Sequence, residues 1–176
     1  MILPVIGKNE QAVEEAAEAI RLYPDYPIAY TQRIFGDLDL DRLDDAKATY
    51  RQAAERKLSN PFFNIGLYEI AFLENDAQGM AEQVRKTTGQ PGFEDQLLGL
   101  EADTAAFSGR LNDARDLSRR AMDSAERARE KEPPAAYSAT AALREAWFGN
   151  GDEAQRLATL LPWVPFLELP RYSLPR

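Results

Sequence analysis

Apolar positions along this chain return with two periods, one short and one long. Over Pro27–Asp39 the residues Ile28, Tyr30, Ile34, Phe35 and Leu38 recur every three or four places, the spacing that gathers side chains on one face of an α-helix. Leu43, Ala46, Tyr50, Ala53 and Ala54 do the same in the following segment. Pro24, Pro27, Pro61, Pro91, Pro133 and Pro134 fall between the periodic stretches, where helices must stop or start. Asp44, Asn75, Asn112 and Asp152 are the expected amino-terminal caps. No convincing alternation of period two occurs, and an all-α fold follows.

The long period decides the architecture. Ala12 aligns with Ala46 and Ala19 with Ala53, both at an offset of 34 residues. The same step reaches Met80 and then Ala114, whereas Ala154 comes after 40 residues. The six-residue surplus is assigned to the polar stretch before Pro133. Each repeat reads as two helices, and an alanine in the second lets the pair approach at the close end of the ~8–10 Å packing range. One such hairpin cannot cover its own apolar face, so neighbours must stack into a curved array whose first helices line a concave surface. The expected division is a repeat array over 1–161 and a tail over 162–176, with about four hairpins after an initial half repeat.

Composition narrows the chemistry. The 176 residues include 29 acidic and 21 basic side chains, a net charge of −8. This opposes nucleic acid and favours neutral or basic partners. Histidine and cysteine are absent, which removes Ser-His-Asp and Cys-His catalysis, Cys- or His-built zinc sites and disulfides together. No apolar run approaches the ~18 residues a membrane helix requires. Met1–Ile6 is apolar but too short for a signal-peptide core, and it reads as the remnant of a helix. A soluble, cytoplasmic protein is expected, the periplasmic face of a larger membrane-anchored protein being the alternative.

The residues Tyr30, Ala46, Tyr50 and Ala53, with Ala12, Ala19 and Pro24 in the preceding half repeat, resemble the tetratricopeptide repeat at its helix-A aromatic, helix-B alanines, helix-B aromatic and closing proline. Arg33, Asp37, Leu58 and Met80 depart from that pattern. The resemblance spans residues 7–161 and implies a right-handed solenoid of antiparallel helix pairs that binds proteins without catalysis. The segments Asn60–Val84, Leu100–Ala128 and Ala141–Asn150 are also similar to carboxy-terminal repeat regions of some bacterial serine/threonine kinases and related regulators. The kinase itself is excluded, because the glycine-rich loop, V-A-I-K strand, D-F-G element and catalytic-loop histidine are missing.

Reactive constellations are weak. Asp37, Asp39 and Asp41 sit as the first acids of a calcium loop would, but Arg42 replaces the required glycine and Ala48 the closing glutamate. No metal or cofactor is expected. Arg110, Arg115, Arg119, Arg120, Arg127, Arg129 and Lys131 are interleaved with acids and read as a solvated face, with Asp116/Arg120 and Asp123/Arg127 as helix-spaced pairs. Gly149 reads as a helix-ending glycine. The tail, with Pro162, Pro165, Pro170 and Pro175 among Trp163, Phe166, Leu167 and Tyr172, reads as a cap on the last hairpin.

The family's groove-facing positions, carried onto this sequence, are Ile28, Thr31, Phe35 and Asp39, then Phe62, Ile65, Glu69 and Leu73, then Gln96, Gly99 and Asp103. None is basic, so the carboxylate clamp of some relatives is absent, and an apolar, mildly acidic lining suits a hydrophobic or basic peptide. The expected function is a protein-binding scaffold. The alternative is a regulatory or oligomerising region of a larger signalling protein, dimerising through groove or tail.

Overall fold

The computed structural model describes residues 8–129 and 133–159. The tail over 162–176, expected as a cap, lies outside these residues. Among the described residues there are nine α-helices and no strand: α1 Asn9–Leu22, α2 Pro27–Asp39, α3 Leu43–Glu55, α4 Phe62–Leu73, α5 Ala77–Thr87, α6 Glu94–Phe107, α7 Leu111–Arg127, α8 Pro133–Trp147 and α9 Gly151–Thr159. The all-α reading holds. The even-numbered helices end at Asp39, Leu73, Phe107 and Trp147, and after three link residues the next helix begins each time. Starts at Asn9, Leu43, Ala77, Leu111 and Gly151 therefore repeat the steps of 34, 34, 34 and 40 residues seen in the alanines.

A single backbone device makes these links. Asp41, Asn75, Gly109 and Gly149 all have positive φ, from 58° to 80°. The amide after each one reaches back to the carbonyl five residues earlier: Arg42 to Asp37, Asp76 to Ala71, Arg110 to Ala105 and Asn150 to Glu145, at 2.8–2.9 Å. This left-handed closure satisfies the last carbonyls of one helix and aims the chain into the next. It also corrects the expected caps. Asp44, Asn112 and Asp152 lie inside the first turns of α3, α7 and α9, and Asn75 is the left-handed residue itself. The caps of α3, α5 and α7 are Arg42, Asp76 and Arg110, of which only Asp76 uses its side chain, accepting from the Gly79 amide at 2.9 Å. Link geometry, rather than a capping side chain, sets where most of these helices start.

The described residues divide into two compact units, the boundary falling between Leu97 and Leu98. In the first, α1 packs on α2, α2 on α3, and α4 on α5, α2 and α3. Its core joins Ile20, Tyr30, Ile34, Phe63 and Ile70 to Ala46 and Ala53, both fully buried. Tyr30 is wholly enclosed and donates its hydroxyl to the Pro24 carbonyl at 2.8 Å. Tyr50 meets Phe63 edge to face at 6.0 Å. Gly36 permits the approach of α1, since a Cβ there would stand 2.7 Å from Val13 Cγ2.

In the second unit α8 packs on both α7 and α9. Many of its buried positions are small: Ala102, Ala105, Ala106, Ala114, Ala121, Ala125, Ser118 and Ser124. Of the periodic residues, Ala46 and Ala114 are fully buried, while Ala12, Met80 and Ala154 are half-buried.

Candidate functional site

In the first unit, α2 and α4 place eight of the expected groove residues in two stripes. Positions 28, 31, 35 and 39 follow one helical face and 62, 65, 69 and 73 another. Ile28, Asp39, Phe62 and Leu73 are exposed, Phe35 and Glu69 half-buried, Thr31 and Ile65 buried. Thr31 turns its hydroxyl to the Pro27 carbonyl, 3.2 Å away. The stripes meet at Gly66, where a Cβ would stand 3.1 Å from Ile34 Cγ2 and 3.9 Å from the edge of the Phe35 ring. Phe62 packs edge to face on Phe93 at 5.1 Å, and 38% of the residue remains exposed.

The electrostatics of this face are one-sided. Burial, and then the nearby Asp39 carboxylate, push the Glu69 carboxyl up to about 7. Four nearby basic side chains are turned elsewhere: Arg33 to Asp37 at 3.5 Å, the link residue Arg42 to Glu10 at 3.8 Å, Lys47 to Glu74, and Lys86 to Glu82 at 2.7 Å. Asp37, Asp39 and Asp41 do not converge. Asp37 is buried beside Arg33, Asp39 is exposed, and Asp41 occupies the left-handed link. Among the described residues no group of three or more acids is placed to hold a metal ion.

Gln96 and Asp103, expected on the same groove, have local partners. Gln96 donates to the Gly92 carbonyl at 2.7 Å. Asp103, in the second unit, pairs with Arg144 at 3.0 Å; burial raises its carboxyl and Arg144 opposes that rise. Gly99 lies against Tyr137, whose ring would stand 3.0 Å from a Cβ built there.

The second unit holds a cleft of about 340 Å³ between α7, α8 and α9, with Leu111, Met122, Ala141 and Leu157 in its lining. Its guanidinium groups are engaged. Arg115 holds the buried Glu145 through Nε and Nη2 at 2.7 and 2.8 Å, and Asn150 Nδ2 donates to the same carboxylate at 2.8 Å. These three bonds, that of Arg115 foremost, outweigh burial and hold the Glu145 carboxyl below its usual range. Arg144 donates to Ser118 at 2.8 Å, Arg119 meets Asp116 at 2.9 Å and Arg156 meets Glu153 at 2.6 Å. Arg115 is thus exposed, as a solvated face requires, and also a structural tie, while Asp116 pairs with Arg119 and not with Arg120 as its spacing suggested.

Sequence reasoning missed two features. Phe93, the ring against Phe62, precedes α6 in a turn with no periodic signal. Phe107 and Trp147, 82% and 81% exposed, close α6 and α8 as Leu73 closes α4; extending the repeat offset from Leu73 would have found them. No family model, curated protein or solved structure matches the chain.

Proposed function

We propose that this chain is a non-catalytic protein-binding scaffold of tetratricopeptide-like helix pairs, taking a hydrophobic or basic segment of another protein on the exposed face of its first helices. One observation carries the reading. Within the first unit Ile28 on α2 and Phe62 and Leu73 on α4 are large, apolar and exposed. Apolar side chains left in water forgo about 25 cal/mol per Å², and their gathering on two packed helices supports the reading of a binding face. The α2–α4 face adds the carboxyl groups of Asp39 and Glu69, which suits a basic partner. Selection of displayed random peptides on the whole chain tests this. Enrichment lost in a Phe62→Ser, Glu69→Lys double variant with unchanged helical circular dichroism is expected; undiminished selection on that variant overturns the assignment.

A second reading, a regulatory or oligomerising region of a larger signalling protein, draws on the second unit. Leu143 and Trp147 are one helical turn apart on α8 and both exposed. Sedimentation across a hundredfold concentration range separates the two: dimers abolished by Trp147→Ser favour this reading, and a strict monomer removes it.

A further inference from the structure

The α2–α4 face has a graded character that specifies its ligand more closely. Phe62, Gly66, Glu69 and Leu73 form one stripe of α4, with Phe35 from α2 lying over Gly66. At one end the Phe62 ring, backed by Phe93, is open to solvent. Seven residues further along α4, Glu69 lies within the field of Asp39 from α2. At 1.5 Å per residue the two ends are about 10 Å apart, close to one turn of a polyproline II chain, three residues at about 3.1 Å each, which returns the first and fourth side chains to the same side.

Phe35 lies over Gly66, and Asp39 and Glu69 each stand about one turn further along their own helices, so an incoming cation at that end of the face would meet both carboxylates. Several basic side chains of the surrounding elements are turned to other partners. On α2 Arg33 faces Asp37, on α3 Lys47 faces Glu74, and on α5 Lys86 faces Glu82. The link residue Arg42 faces Glu10 of α1. The overall charge of −8 attracts a basic segment to the molecule before it docks.

We propose that this face captures a peptide in the polyproline II conformation by one lysine or arginine side chain set between Asp39 and Glu69 and one apolar side chain on Phe62, the two being three residues apart. The inference rests on the scaffold reading above and names its ligand. Binding is coupled to a proton, because Glu69 is half protonated near pH 7 in the free protein and ionises when the cation arrives. Affinity therefore falls as pH drops through 7.

The probe is a blocked eight-residue peptide with leucine and lysine three positions apart, titrated calorimetrically into the full chain in phosphate and in Tris. Expected results are release of about half a proton at pH 7 and severalfold tighter binding at pH 8 than at pH 6. The same peptide with norleucine for lysine, or with leucine and lysine adjacent, should bind at least tenfold more weakly. Glu69→Gln, checked for an unchanged helical circular dichroism spectrum, should abolish the proton release and the pH dependence. Equal binding of the lysine and norleucine peptides, or binding without proton release, overturns this inference and leaves the scaffold reading standing. Selection of displayed peptides that enriches none at all overturns both.

Discussion

Asp37 and Glu145 stand at the same place in the repeat, each buried and each four residues ahead of the left-handed link residue. Their surroundings differ. Asp37 has one guanidinium on its own helix, 3.5 Å away, and burial raises its carboxyl despite that pairing. Glu145 receives two bonds from Arg115 on α7 and one from Asn150 in the link to α9, and its carboxyl is lowered. The equivalent positions between them are Ala71 and Ala105. A buried carboxylate is therefore a liability in the first unit and a fastening in the second. The cores match this division, since large side chains fill the first unit, whereas the second closes largely on alanine and serine and needs its polar ties.

Substitutions sharpen the contrast. Tyr30→Ala should be the most damaging, costing about 3–5 kcal/mol through the cavity and the lost bond to Pro24, read as a lowered denaturant midpoint. Glu145→Ala should cost about 1–3 kcal/mol, because it removes three charge-assisted bonds while Arg115 can still turn to water. Equal tolerance of Glu145→Ala and Asp37→Ala would break the comparison. Asp37→Ala should change stability by less than about 1 kcal/mol in either direction, since the lost pairing is offset by relief of burial.

Acidity should divide the carboxylates as well. Glu69 has a folded pKa of about 7, above its ordinary value of 4.5. The folded state therefore holds the extra proton between those pH values, and the stabilisation present below 4.5 is lost as pH rises through 7. Glu69→Gln should remove that slope from denaturation midpoints measured between pH 4.5 and 8. Glu145, lowered in the folded state, contributes stability above the ordinary carboxylate range and loses it only as pH falls below that range.

Much of the fold was legible because its repeat is written in side-chain size. Ala46 and Ala114 mark the packed helix pairs, and the surplus before Pro133 is taken up largely by a longer α7, 17 residues against 13 in α3. The caps were not legible, since a left-handed Asp41 or Asn75 is fixed by backbone closure that no side chain announces. At the candidate site the register identified which residues share a face, but not how deeply each is sunk. Thr31 and Ile65 are buried beside the exposed Ile28 and Phe62 because burial depends on neighbouring helices. The tie from Arg115 to Glu145 spans 30 residues, beyond any local spacing rule.

The most direct measurement is an amide-shift map of the full chain titrated with the leucine–lysine peptide. Shifts should concentrate in residues 28–39 and 62–73, with Phe93 responding and the amides around Glu145 unmoved. A footprint centred on the α7–α8–α9 cleft or on Trp147, with the α2–α4 face silent, would contradict the assignment of the binding face.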